Sequence, residues 1–380
     1  MGNDSQNGLA LCFLTGGMGT GGAERVIATL ANIFAGQGHR VKILCMGRDK
    51  KQAGYELDRK IEVVYTGVGR GCFLARKVRQ LRRILVLLKS YRPDILISFQ
   101  NYINIQAVFL GKAAGIPVIA SERSFPGKNM EGTVGLNRLC KWAYSRADAV
   151  VCQTKEQREY FGLRNKGNSY IIMNPFRIPV DEIPEYTIRD EVLLLGSTGR
   201  LEESKNFSML IRLMANLKDD FPELRLVIWG EGSQKEALIK LSEELGVRDR
   251  VEFPGVSRDI LNEMGKMDIF LFSSRYEGIP NALIEAMCMG IPCISTRFEG
   301  GGAELLIRNG ENGLLVDTDN EPKLEEKTTA LISDEDLRRK ISFEAKKLRS
   351  EVEPEMIAGK WMEVIQRTID RTKPKKDESR

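Results

Sequence analysis

At 380 residues, with 42% hydrophobic and 29% charged side chains, the chain is too long for one ordinary core and fits two globular domains of roughly 150 to 200 residues each. A net charge of +5 is modest at this length and no aromatic-basic interleaving accompanies it, which argues against nucleic acid, and no apolar run approaches the roughly 18 residues of a membrane span. The single histidine, His39, excludes a His-rich metal site and most histidine-based catalysis, so chemistry must come from carboxylates, Arg, Lys and backbone N–H groups.

In chain order, Leu9–Leu14 reads as a buried strand, followed by the glycine-rich loop Thr15–Gly22 and a helical run from Ala23 to Phe34. Glycines here let the backbone approach a ligand at a helix start. The loop contains Gly17-Met-Gly19-Thr-Gly-Gly22, a match to the dinucleotide-binding spacing, and Asp49, after the strand Val41–Met46, could take a ribose as NAD sites do. Ile61–Thr66 is the next strand. In the helix Cys72–Tyr91, Leu74, Val78, Leu81, Leu85 and Leu88 recur at about 3.5-residue spacing and predict the buried face. Arg76, Arg79 and Arg83 lie opposite, either as a solvated charged face or against an anionic membrane surface or lipid diphosphate. Strands Pro93–Phe99, Ile116–Ser121, Ala147–Cys152 and Tyr170–Met173 complete the first sheet. Glu122 and Arg123 leave the end of the second of these, where a pair should face a ligand, the plain alternative being a structural ion pair.

Prolines at 175, 179 and 184 make a linker. Glu191–Gly196 opens the second domain, and Arg200 and Lys205 leave its strand end before the helix Phe207–Leu217: one bidentate fork and one point charge suited to a diphosphate. Leu224–Trp229 with Gly230, then Val251–Val256, are further strand-to-loop junctions. Asp268–Phe272 is a strand, Ile291–Ser295 another. Between them Glu277-Gly-Ile-Pro-Asn-Ala-Leu-Ile-Glu285 makes a glycine-proline turn into a helix, with Asn281 as expected N-cap. Such a helix start suits an anion, and two carboxylates beside it suit a polyhydroxylated ligand. Phe298–Leu305 is one more glycine-rich helix start. Helices over about 334–349 and 354–369 close the chain before a polar tail expected to be disordered. Seven scattered cysteines without a Cys-x-x-Cys pair read as buried hydrophobes in a reducing compartment. The first six residues lack a basic leader or a myristoylation signal, from which a cytoplasmic location is expected.

From about residue 10 to about 370 the sequence resembles the retaining GT-B glycosyltransferases with a Glu-x₇-Glu motif (the family 4 type), closest to transferases of bacterial cell-surface and lipid-linked glycans, which share the Ser121-Glu122-Arg123 variant. The resemblance implies an α/β fold of two Rossmann-like, doubly wound domains facing across a cleft: 1–178 for the acceptor, 190–353 for the nucleotide sugar, and a helix over 354–370 returning to the first domain through Trp361, Met362 and Ile365. In such enzymes Glu285 holds the nucleotide ribose, Glu277 contacts the transferred sugar, and the helix start from Gly278 through Ile279, Pro280, Asn281, Ala282, Leu283 and Ile284 receives the diphosphate. Gly21 and Gly22 face that diphosphate across the cleft. Gly230, Phe253, Pro254, Gly255 and Val256 flank the base, and Glu122 and Arg123 contact acceptor or donor sugar.

These expectations combine into retaining transfer of a hexose or N-acetylhexosamine from a nucleotide sugar, taken as UDP-linked with GDP-mannose next, to a glycan or polyprenyl-diphosphate-linked saccharide. Glu277, Arg200, Lys205 and Glu122 carry the catalysis. The departing phosphate would deprotonate the acceptor, with domain closure about the 175–190 linker. No cofactor and no metal are expected: Asp317-Thr-Asp319 and Asp334-Glu-Asp336 match Asp-x-Asp but lie in a turn and at a helix start, where Asp is common. A nucleotide-sugar epimerase, an NAD-dependent oxidoreductase using Gly17–Gly22, and a catalytically silent sugar-nucleotide binder remain rivals.

Overall fold

The computed structural model describes residues 8–19, 21–47, 54–67, 72–123, 125, 134–179 and 185–373. Residues 176–353, with Phe125, form one compact unit, and the chain before and after them forms the other.

The first unit runs β1 (Ala10–Thr15), α1 (Gly22–Gly36), β2 (Arg40–Cys45), β3 (Glu62–Tyr65), α2 (Phe73–Tyr91), β4 (Ile95–Phe99), α3 (Asn101–Ala114), β5 (Val118–Ser121), α4 (Val134–Arg146), β6 (Ala149–Cys152), α5 (Lys155–Tyr160) and β7 (Ser169–Ile171). The second continues with β8 (Leu194–Thr198), α6 (Phe207–Leu217), β9 (Arg225–Trp229), α7 (Lys235–Glu244), β10 (Val251–Gly255), α8 (Ile260–Met264), β11 (Ile269–Phe272), α9 (Asn281–Met289), β12 (Cys293–Thr296), α10 (Gly302–Leu306), β13 (Leu314–Val316), α11 (Glu321–Ser333), α12 (Glu335–Lys346) and α13 (Leu348–Glu351). The last helix, α14 (Pro354–Thr372), belongs to the first unit.

Each unit is one parallel sheet, ordered β3-β2-β1-β4-β5-β6-β7 in the first and β10-β9-β8-β11-β12-β13 in the second. Both reverse direction beside their first strand, and in such sheets ligands bind outside the carboxyl ends of the strands at that reversal. Every residue of β1 and of β4 is buried, as a parallel sheet covered on both faces requires. One face of the first sheet packs Val26, Leu30 and Phe34 of α1 with Ile357, Trp361 and Ile365 of α14. The other packs Ile84 and Leu88 of α2 with Val108 and Tyr144.

An aspartate before a strand pins the register. Asp94 accepts the N–H of Ala10 at 2.7 Å, Asp148 that of Val118 at 2.8 Å, and Asp268 those of Leu193 at 2.9 Å and Leu194 at 2.8 Å. Each carboxylate satisfies the first free donor of the neighbouring strand and holds the two amino ends level.

The face assigned to α2 holds in its second half and requires correction in its first. Leu88 is buried and Leu81 and Leu85 pack against the core, but Leu74 is 71% exposed and Val78 42%, while Gln80 and Ile84, not expected there, are buried. Val86 is 66% exposed and Leu87 half-buried off this stripe, so spacing alone does not mark which apolar positions are covered. Gln80 decides it, because its Nε2 donates to Met46 O and Thr66 Oγ1 and thereby bonds the exposed end of the sheet. Arg79 and Arg83 are exposed and Arg76 is half-buried. Among the described residues no helix is long and apolar enough to cross a membrane.

Candidate active site

In the second unit the loops after β8 and β11, the two strands at the reversal, bring Lys205 and Glu277 into an ion pair, with the lysine ammonium also 5.4 Å from the Phe272 ring centre. Both side chains are mostly shielded, 16% and 22% exposed, so the pair keeps a strength that surface pairs lose to water. A polar layer behind them holds the geometry. Ser273 Oγ donates to Lys205 O at 2.8 Å, Ser274 Oγ lies 3.4 Å from Glu277 Oε1, and the Arg275 N–H donates to Ser204 O at 2.8 Å. Asn206, at φ 54°, turns the chain in the left-handed region that Asn tolerates and donates to Asp319 at 2.9 Å, which also pairs with Arg275 at 3.0 Å. Asp319, half of one Asp-x-Asp match, is therefore bound up in this scaffold, and Asp334 of the other caps α12 by accepting the Leu337 N–H at 2.9 Å.

The helix after Glu277 begins one residue earlier than expected. Pro280 is the N-cap of α9, Asn281 is its first helical residue, and no side chain caps the start. The reason is that Pro280 holds φ at −77° and offers no donor, so the helix opens on backbone N–H groups alone. Glu285 is buried at 5% exposure on the first full turn, and Gly278, Ile279, Leu283 and Ile284 are buried around it, while Ala282 is half-buried. The loop before α10 packs on this turn so closely that a Cβ on Gly300 would lie 1.9 Å from Glu277 O. Gly300 also sits at φ 116°, where only glycine is at ease.

Gly230 likewise lies at φ 143° with its Cα against the Gly199 backbone, and its N–H donates to Gly255 O at 2.8 Å, so three loops stack on the carboxyl ends of β8, β9 and β10. The set expected to flank a base is only partly brought together there. Phe253 packs against the core, Val256 is 76% exposed, and Pro254 lines a separate groove of about 580 Å³ with Arg225, Val227, Trp229 and Glu252. A strand end presents alternate residues to opposite faces, which is why four consecutive residues cannot share one surface. Arg200 is 79% exposed, with Glu202 at 3.7 Å, and is not drawn into the Lys205–Glu277 pair.

In the first unit, Gly21 caps α1 without a side-chain bond, and Gly21 and Gly22 are exposed at the end of β1. Asp49 lies outside the described residues. Glu122, expected to reach substrate, is fully buried and faces inward. Its Oε2 accepts from Tyr144 Oη at 2.5 Å and its Oε1 from the Arg123 N–H at 2.9 Å, while Asn104 Nδ2 donates to Tyr144 Oη at 3.1 Å and to Ser121 O at 2.8 Å. Placing a carboxylate under the sheet edge requires donors, and these supply them. Burial and the adjacent Glu122 charge push the Tyr144 hydroxyl well above its ordinary range, so it remains a donor. Arg123 rests its guanidinium 4.8 Å from the Phe99 ring centre and 5.4 Å from that of Trp361, and donates to Asn174 Oδ1 at 2.9 Å. Burial lowers its pKa to about 9, which still leaves it charged at neutral pH.

Sequence reasoning missed Ser273, Ser274, Arg275 and Asn206, although their position at the carboxyl ends of β8 and β11 was a usable signal. It also missed Gln100, which carries φ 78° at the end of β4, the other strand at the first unit's reversal. Glutamine has no preference for that region, so nothing in the sequence marks it.

Residues 20–172 match the family Glycosyltransferase Family 4 and residues 181–348 match Glycosyl transferases group 1. The chain is 29% identical over 351 residues to the N-acetylgalactosamine-N,N'-diacetylbacillosaminyl-diphospho-undecaprenol 4-alpha-N-acetylgalactosaminyltransferase of Campylobacter jejuni, covering 87% of this chain and 92% of that one. A second Campylobacter jejuni protein, an alpha-1,4-N-acetyl-D-galactosaminyltransferase acting on a GalNAc-alpha-(1->4)-GalNAc-alpha-(1->3)-diNAcBac-PP-undecaprenol, is 27% identical, covering 94% of this chain and 98% of that one. Anabaena HepE, solved in complex with UDP-glucose, superposes with a TM-score of 0.79 at 18% identity, covering 94% of this chain and all of that one. Two nucleotide-binding-type sheets, the loop geometry at their reversals and these matches along nearly the whole chain agree: the protein is a glycosyltransferase of GT-B fold, with a family 4 segment in its first unit and a group 1 segment in its second.

Proposed function

We propose that the protein is a retaining N-acetylhexosaminyltransferase that takes its sugar from a UDP-linked donor and adds it to a polyprenyl-diphosphate-linked saccharide at the cytoplasmic face of a membrane. The carrying observation is the second unit's carboxyl edge, where an uncapped helix start, a shielded Lys205–Glu277 pair and the buried Glu285 lie within one packed set of loops. The amides of α9 are suited to the diphosphate. Glu285 is suited to the ribose hydroxyls and Glu277 to the sugar, with Lys205 beside it to offset the negative charge of the leaving diphosphate. Arg200, 79% exposed and 3.7 Å from Glu202, can swing to the same phosphates. With these cations at hand the reading invokes no divalent metal, and departure of the diphosphate on the face that the acceptor enters accounts for retention.

The base contact is narrowed to the backbone around Gly230 and Gly255. In the first unit Gly21 and Gly22 supply backbone for a phosphate once the Glu24 carboxylate, which lies against Gly21, turns aside, and Arg123 is the residue offered to acceptor or donor sugar. The choice of an N-acetylated sugar follows the Campylobacter N-acetylgalactosaminyltransferases and that of UDP the UDP-glucose complex of HepE. The exposed arginines and apolar residues of α2 are suited to an anionic membrane surface or the lipid diphosphate.

A panel of UDP- and GDP-sugars tests the reading. UDP-N-acetylhexosamines should stabilise the protein by about 2.7 kcal/mol at a hundred times their Kd, and proton NMR of the product should show the donor's anomeric configuration kept. Stabilisation by GDP-mannose alone would move the donor assignment, and an inverted product would remove retention.

A further inference from the structure

Among the described residues, seven buried side-chain nitrogen or oxygen atoms lack a hydrogen-bond partner, and five of them are N–H donors on four residues: Nε and Nη2 of Arg123, Nε2 of Gln157, Nε of Arg158 and Nε1 of Trp361. These residues come together in the first unit at the carboxyl ends of β5 and β6. Arg123 and Gln153 both donate to Asn174 Oδ1, at 2.9 and 2.8 Å, and the Gln153 N–H donates to Gln157 Oε1 at 2.7 Å. Trp361 lies under the Arg123 guanidinium, and the thiol of Cys152, the last residue of β6, feels the charges of both Arg123 and Arg158. Asn174 Oδ1 thus accepts twice and Gln157 Oε1 once, and apart from the Ser121 hydroxyl the unpartnered atoms at these strand ends are donors. Each orphaned buried donor costs about 1–3 kcal/mol, so natural interiors rarely keep several together. The charges point the same way: the Cys152 thiol feels two arginines, Arg123 and Arg158, and one carboxylate, Glu122.

We propose that this cluster is an oxyanion site, with Arg123 and Gln157 donating to phosphate oxygens and the Phe99–Trp361 ring pair, stacked at 5.7 Å, holding the guanidinium in place. Arg123 as a whole is half-buried while its Nε and Nη2 are enclosed, so a phosphate reaches them as the guanidinium turns outward. This deepens the proposed function by giving the first unit its own phosphate contact, separate from the α9 helix start. The phosphate could belong to a prenyl diphosphate, to the nucleotide or to a free inorganic anion, and the test separates these.

Trp142→Phe and Trp229→Phe together leave Trp361 as the sole tryptophan, a reporter beside Arg123. Its emission is titrated with inorganic pyrophosphate, geranyl diphosphate and UDP. A saturable change with any of them, weakened about tenfold or more by Arg123→Met and by Gln157→Leu, supports the site and identifies the source by which compound binds most tightly. No change with all three at millimolar concentration, together with an unaltered acceptor KM in Gln157→Leu, overturns it. Thermal stabilisation by the nucleotide sugar is measured on the same protein. If that persists while Trp361 is silent, the cluster proposal fails alone, and if both are lost in the parent, the function reading fails with it.

Discussion

The two units solve the same problem, presenting polar groups at the carboxyl ends of parallel strands, in opposite ways. In the second, charges from neighbouring loops are matched to one another: Lys205 to Glu277, Arg275 to Asp319, with Ser273 and Asn206 tying the backbone beneath them. In the first, Glu122 is pulled under the surface by Tyr144, and what remains includes glycine backbone beside Glu24, a strained Gln100 and donors in excess. A self-satisfied edge is rigid before its ligand comes, whereas an unsatisfied one depends on the ligand to complete it.

The strongest way to break this contrast is to unbalance the matched edge. Lys205→Ala and Glu285→Ala should each reduce transfer by at least about a hundredfold with the fold intact, as judged by circular dichroism and nucleotide-sugar turnover. Full activity in either would remove the second unit's edge from the chemistry. Next in size is the outer face of the first unit. Changing Arg76, Arg79 and Arg83 to Ser should weaken co-sedimentation with anionic vesicles by about a hundredfold, at about 1 kcal/mol per residue. Cys72, the exposed cysteine at the start of α2, gives an independent reading, since vesicles should slow its labelling while the six buried thiols stay unreactive.

Tyr144→Phe sharpens the contrast from within by leaving the buried Glu122 without its short hydrogen bond. A loss of about 1–3 kcal/mol in urea unfolding is expected. The smallest effect concerns His39, whose Nδ1 accepts the Leu9 N–H at 3.0 Å and whose pKa is lowered by burial. The unfolded chain binds the proton more readily, so this contribution is present above the ordinary histidine pKa and lost as pH falls below it. His39→Gln should flatten the unfolding free energy between pH 7 and 5 by less than about 1 kcal/mol, a small figure because the ring is partly exposed.

Much of the second unit's layout was legible because apolar runs locate strand ends, and Glu277, Lys205 and Gly230 lie in the loops that follow them. The first unit was less so. The face of α2 depends on the hydrogen bonds of Gln80, which hydrophobic spacing does not weigh. Glu122 points inward because of Tyr144 and Asn104, more than fifteen residues away in sequence, and Gln100 adopts a backbone conformation its side chain does not advertise. Phe253 and Pro254 were grouped by adjacency although a strand parts neighbours.

Helix α14 bears on how the chain is made. Trp361 is wholly enclosed in the core that also holds β1 and α1, so roughly 180 residues separate the body of the first unit from the piece that finishes it. On a ribosome the second unit, nearly continuous in sequence, can close first, while the amino-terminal half waits with an open groove until the last helix clears the exit tunnel. Truncation before residue 354 should therefore yield an aggregating amino-terminal half rather than a missing appendage, and chaperones would be most needed late in synthesis.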